Sequence, residues 1–184
     1  MKVKTALILC AGFGKRVQPI TDSLPKPLIN YKDETLLENT IKFLIKLKIS
    51  KIKINVFYLK EKIISFIENK NFPINIEIVD DGETILGTGG GILSLINKSD
   101  EEDVLVINPD TIWDDSFISS VIDMENIYFE KKIKNILLVV NNSSCFDRRF
   151  NGDFEIKNNI LFKEKVNNFK NTGCQIFNKD ISSH

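Results

Sequence analysis

The run Val3 to Cys10 is apolar and rich in β-formers, and it opens directly into Ala11-Gly12-Phe13-Gly14-Lys15-Arg16. That junction constrains the fold more than any other stretch. An apolar run of this kind suits a strand covered on both faces in a parallel sheet. The small residues that follow expose N–H groups that no side chain shields, which lets a polar ligand approach the backbone closely.

Strand and helix patterns then alternate. Thr35-Leu-Leu-Glu38 has capping-box spacing, and Leu36, Leu37, Thr40, Ile41, Leu44 and Leu47 recur at helical intervals, predicting a helix to about Lys48. Ile52 to Tyr58 reads as a strand, Lys60 to Lys70 as a helix with Ile63, Ile64 and Ile67 on one face, and Asn75 to Val79 as a third strand. GETILGTGGGILSLIN reads as a glycine loop running into a short helix, and DVLVINPD as a buried strand ending in Asp110. Residues 116–130 read as a helix and Asn135 to Asn141 as a strand. FEIK, ILFKEKV and GCQIFN read as strands and hairpins extending one edge of the sheet.

This order predicts an α/β fold: an open, mainly parallel Rossmann-like sheet, mixed at the edge, with helices on both faces. Its ligand site would lie beyond the carboxyl ends of the strands, where the opening loop and Asp110 both fall. At 184 residues, 42% of them hydrophobic, the chain fits one domain.

Composition narrows the partners. The 25 basic and 25 acidic residues balance, so no whole-chain field recruits nucleic acid or an anionic membrane. Cys10, Cys145 and Cys174 are odd in number and lack a CxxC pair, which argues against a disulfide framework or structural zinc and fits a reducing cytoplasm. The stretch Ala6 to Leu9 is shorter than the roughly 7–15 residues of a signal h-region, and no segment approaches the roughly 20 apolar residues of a membrane span.

Locally the balance breaks. Residues 11–32 hold Lys15, Arg16, Lys26 and Lys32 against Asp22 alone, which points to a polyanionic ligand. Pro25 and Pro27 restrict the backbone at Lys26, keep it out of a helix and present its ammonium from a stiff loop. A dinucleotide fingerprint requires glycine where Val17 stands. A Walker A loop requires glycine at Leu9 and Ser or Thr at Arg16. A Ser-His-Asp hydrolase is disfavoured because the only histidine is His184. Taken alone, GFGKR reads equally well as a solvated glycine turn.

The full stretch GFGKRVQPITDSLPKPLI, with LGTGGGI, VLVINPDTIW, NGDF and TGCQIF, resembles the sugar-1-phosphate nucleotidyltransferases, with their G-x-G-x-R…P-K-P signature. The resemblance covers nearly the whole chain. It is closest to the branch holding N-acetylmuramate-1-phosphate uridylyltransferase and mannose-1-phosphate guanylyltransferase-like enzymes. It implies a nucleotide-diphospho-sugar transferase type of fold, with residues to about 115 forming a nucleotide-binding half and residues from about 116 a sugar-phosphate-binding part.

The activity implied is transfer of a nucleoside monophosphate from an NTP (UTP or GTP) to a hexose-1-phosphate, with Mg²⁺ as cofactor. By resemblance Arg16, Lys26 and Asp110 are catalytic and Asp110 also holds the metal. Ala11, Gly12, Gly14, Lys15, Gly87, Thr88, Gly89 and Asn108 bind nucleotide, and Gly152, Asp153, Glu164 and Lys165 line the sugar-phosphate pocket. Asp110 alternatively reads as an Asx turn or helix N-cap, a role for which Asp114 and Asp115 are better placed. The glycine run alternatively reads as a flexible turn, and Glu164 and Lys165 as a solvated hairpin. Arg148 and Arg149 stand where they would guide an acidic sugar, or belong to a solvated loop.

The family usually has Asn-Gly-Asp where this chain has Asn108-Pro109-Asp110, and Pro109 removes a backbone donor. The family pattern also continues past TGCQIF to a second metal-binding aspartate and a closing helix, which this sequence does not contain. A nucleotide- or sugar-phosphate-binding module without turnover is therefore the second expectation. A homo-oligomer that covers an exposed sheet edge is compatible with this surface.

Overall fold

The computed structural model describes residues 1–145 and 151–183. Its centre is a six-stranded sheet ordered β5-β4-β1-β6-β10-β7. Thr5–Leu9 is β1, Lys51–Val56 is β4, Asn75–Asp80 is β5 and Asp103–Ile107 is β6, and these four run parallel. Phe169–Asn178, β10, is antiparallel both to β6 and to Asn135–Asn141, β7. Two short ribbons lie outside the sheet: β2 (Asn30–Tyr31) with β3 (Glu34–Thr35), and β8 (Glu155–Lys157) with β9 (Ile160–Phe162).

Burial explains the layers. Three helices, α1 (Leu36–Lys46), α2 (Lys60–Asn69) and α4 (Ser116–Glu130), cover one face. Leu37, Ile41, Leu44, Ile63, Val121 and Met124 pack there on Ala6, Ile8, Ile52, Ile54, Leu105 and Ile107. The other face carries α3 (Gly87–Asn97), whose Leu95 and Ile96 pack on Leu7, Val79, Val104 and Val106. Helices therefore lie on both faces, as the alternation predicts. Of the capping box the N-cap half forms: Thr35 Oγ1 accepts a hydrogen bond from Glu38 N at 3.1 Å, while the Glu38 carboxylate pairs with Lys42 and Lys70 instead. No helix of the described residues is long and apolar enough to cross a membrane.

Five expectations change. The DVLVINPD strand ends at Ile107 rather than at Asp110, because Asn108 N and Thr111 Oγ1 turn to the Gly173 and Thr172 carbonyls and hold the stretch between them as a loop. None of FEIK, ILFKEKV and GCQIFN extends the edge: the first two pair with each other as the separate β8–β9 ribbon, and GCQIFN belongs to β10, inserted between β6 and β7, because Cys174 and Ile176 bury completely against the α1/α2/α4 face. The glycine run is helical from Gly87 rather than a loop, since packing of Leu95 and Ile96 outweighs the poor helix propensity of glycine. The second strand stops at Val56, and Tyr58 turns to donate a hydrogen bond to Thr21 O at 2.9 Å. Lys26 opens a single 3₁₀ turn, Lys26–Leu28, with Pro27 as its second residue, so the prolines shorten the helix there rather than prevent it.

Candidate active site

An open cleft of about 340 Å³ lies at the carboxyl ends of the parallel strands. β1 supplies the loop that lines its floor. Gly14 has φ +66°, and a Cβ there would stand 2.8 Å from Thr21 Cγ2, so only glycine fits. Its carbonyl accepts hydrogen bonds from Val17 N at 2.9 Å and Thr21 Oγ1 at 3.0 Å, which close the turn carrying Lys15 and Arg16. A Cβ added at Gly12 would meet nothing within 4 Å, and the residue is exposed along the cleft.

Ala11, Gly12, Gly14, Arg16, Lys26, Gly87, Thr88, Asn108 and Asp110 all line this space. Arg16 is exposed. Lys26 Nζ lies 2.6 Å from Asp110 Oδ2, joining the loop after β1 to the loop after β6. Lys15 is not part of the lining: its ammonium stands 5.4 Å over the Phe13 ring. Gly89, in the first turn of α3, does not line it either.

The remaining predicted residues lie elsewhere. Gly152 N donates to Asn167 O at 2.8 Å, and Asp153 Oδ2 accepts from Asn171 N at 2.9 Å, so both tie their segment to β10 and its approach. Glu164 and Lys165 sit in an exposed turn after β9, where Glu164 N donates to Asn167 Oδ1 at 2.9 Å. Arg148 and Arg149 lie outside the described residues.

The loop bearing Asp110 is held without a donor from Pro109. Asn108 N donates to Gly173 O at 2.8 Å, and Thr111 Oγ1 donates to Thr172 O at 2.7 Å. Gly173 has φ +80°, and a Cβ there would meet the Asn108 side chain at 2.8 Å. The helix-terminus role falls to Asp114, whose Oδ1 accepts from Ser116 N at 2.8 Å.

Asn55 escaped the sequence reading. It is a buried polar residue of β4, and its Oδ1 accepts from Cys10 N at 2.9 Å while its Nδ2 donates to Asp81 Oδ2 at 2.7 Å. It lines the cleft and links the start of the glycine loop to the segment leading into α3. Its signal was an asparagine between Ile54 and Val56 in a strand otherwise built for burial. Beneath the loop, burial first and the charge of Asp110 second push the Cys10 thiol well above its ordinary value.

As a metal donor set the cleft offers one carboxylate, Asp110, and among the described residues no group of three His, Cys, Asp or Glu gathers anywhere. Such a set fits Mg²⁺ shared with substrate phosphates, the usual habit of that ion, and does not fit an all-protein cage. A second cleft, about 640 Å³, is walled by Lys42, Lys46 and Lys70, each already paired with Glu34, Glu38 or Asp115.

A family model described as Nucleotidyl transferase matches residues 5–181. The chain belongs to this family. It is 40% identical over 130 residues to the bifunctional protein GlmU of Methanococcus maripaludis, a match covering 71% of this chain and 30% of that protein. It is 31% identical over 113 residues to the N-acetylmuramate alpha-1-phosphate uridylyltransferase of Caulobacter vibrioides, covering 60% of this chain and 47% of the relative. The chain thus spans less than half the length of these relatives. Its fold is similar to the inositol-1-phosphate CTP transferase from T. maritima, with TM-score 0.82 at 18% identity over 98% of this chain and 73% of that one.

Proposed function

We propose that this nucleotidyl transferase chain moves a nucleoside monophosphate from UTP or GTP to a hexose-1-phosphate, releasing pyrophosphate. One observation carries the reading: the Lys26–Asp110 pair and Arg16 line the same cleft as the exposed Gly12. An oxygen of the sugar phosphate attacks the α-phosphorus, a Pα–O bond forms, and the bond to the β-phosphate breaks to leave pyrophosphate. The attacking oxygen is already ionised, so the chain needs no general base. Catalysis reduces to positioning and charge cancellation.

The residues divide that work. Backbone N–H groups of the glycine loop hold phosphate oxygens, and Arg16 neutralises the departing pyrophosphate through its planar fork. Lys26 leaves Asp110 to meet the phosphates of both substrates. Asp110 is the residue that would hold Mg²⁺. When bound, Mg²⁺ supplies further neutralisation of the transferring phosphoryl group. The N-terminal turn of α3, with Gly87 and Thr88, faces the nucleoside.

A pyrophosphate-release panel tests this: five nucleoside triphosphates against muramate-, glucosamine-, mannose- and glucose-type 1-phosphates, with Asp110→Ala as control. Release that needs a triphosphate, a sugar phosphate and Asp110 together supports transfer. No release from any pair, with UTP or GTP still raising the melting temperature, supports a binding module instead.

A further inference from the structure

We propose that Asn39, on α1 and outside the cleft, is the positioning residue that sets Asp110. The inference rests on the reading of Asp110 as the metal-holding carboxylate.

Asn39 treats Trp113 as a neighbouring strand would. Its Oδ1 accepts from Trp113 N at 2.8 Å and its Nδ2 donates to Trp113 O at 3.0 Å. The same Nδ2 donates to Glu34 Oε1 at 3.0 Å, which fixes the amide's orientation from its own side. One helical turn on, Phe43 stacks on the Trp113 ring, centroids 5.2 Å apart and planes 18° apart, and Phe117 meets it edge-on at 5.2 Å. Helix α1 therefore grips Trp113 twice, by its backbone and by its ring, and Trp113 is 2% exposed.

Trp113 passes the grip onward. Its Nε1 donates to Asn108 O at 3.3 Å, so the residue two positions before Asp110 and the residue three positions after it are tied together. The opposite side of the loop is held by Gly173 and Thr172 of β10. Asp110 therefore sits on a short span anchored at both ends, one end belonging to α1. Asn39 and Trp113 line the second cleft and not the one Asp110 enters, so their influence runs through the loop rather than through a ligand.

The test compares the wild-type chain with Asn39→Ala, Trp113→Phe and Ile63→Val. The second keeps an aromatic ring against Phe43 while removing the Nε1 donor along with part of the indole's packing, and the melting temperature reads the latter. The third loosens the core under α2, away from the loop. Mn²⁺ affinity is read by water-proton relaxation enhancement with UTP, then GTP, beside melting temperatures and, where turnover is present, kcat and KM.

Losing the two bonds to Trp113 should weaken Mn²⁺ binding about tenfold in Asn39→Ala, and losing the Nε1 bond about threefold in Trp113→Phe. In both of these variants kcat should fall more than KM for the triphosphate rises, whereas Ile63→Val should stay within about twofold at comparable melting loss. If Asn39→Ala does not fold, Trp113→Phe carries the test. Wild-type-like Mn²⁺ binding in the Asn39 and Trp113 variants, or an equal loss in Ile63→Val, overturns the inference alone. Absence of Mn²⁺ binding by the wild-type chain overturns both the inference and the metal role of Asp110.

Discussion

Lys26 Nζ and Asp110 Oδ2 meet at 2.6 Å although 84 positions separate them in sequence. In the free cleft each is the other's counter-ion, so an arriving phosphate and an arriving cation compete for the two halves of one pair. Lys26→Met should therefore tighten Mn²⁺ binding in the absence of nucleotide by about two- to fivefold, the scale of a half-exposed ion pair. It should lower turnover by about a hundredfold, as loss of one group facing the developing charge does. Relaxation enhancement and initial rates check the two halves separately.

Gly173 sits where β10 passes the Asp110 loop. Its φ is +80°, and an added methyl carbon would stand 2.8 Å from the Asn108 side chain. Gly173→Ala should therefore destabilise the chain by about 1–3 kcal/mol, measured by urea unfolding. Gly12→Ala, with nothing within 4 Å, should leave stability nearly unchanged while weakening triphosphate binding.

Glu77 sets part of the acid sensitivity. Hydrogen bonding from Lys51, opposed by burial and helped by Lys53, holds its carboxyl below the ordinary 4.5. A depressed carboxyl contributes stability that is complete above that ordinary value and is lost as pH falls through the lower folded one. Glu77→Gln should therefore lower stability near neutrality and flatten the acid limb. Urea midpoints between about pH 7 and 3 read both effects. The neutral-pH loss should exceed that of an exposed pair, because Lys53 is 2% exposed and, among the described residues, keeps the carbonyl of Lys98 alone as hydrogen-bond acceptor.

Thiol chemistry should single out Cys145. Cys10 and Cys174 are buried, burial pushes the Cys174 thiol up to about 12, and burial together with Asp110 raises Cys10 further. An aromatic disulfide reagent at neutral pH should label one thiol per folded chain and all three after unfolding.

What was legible in the sequence was local. The glycine loop, the N-cap at Thr35 and the buried strand opening at Asp103 depend on neighbours a few positions apart, and the structure forms them, although that strand ends at Ile107, short of Asp110. Pairings across the chain were not legible. The interior place of β10 depends on contacts with β6 and β7, and the Asn39–Trp113 clamp spans 74 positions. The helix through Gly87, Gly89, Gly90 and Gly91 hides from propensity because tertiary packing forms it. Gly91 is small because a Cβ would stand 2.7 Å from Asn55 Nδ2.

The most direct measurement is a ³¹P NMR time course of the chain with Mg²⁺, UTP or GTP, and a hexose-1-phosphate. Nucleotidyl transfer predicts sugar-nucleotide diphosphate signals and pyrophosphate growing in at equal rates, absent for Asp110→Ala. Growth of nucleoside monophosphate without a sugar-nucleotide signal, or an unchanged spectrum for every substrate pair, would contradict the account.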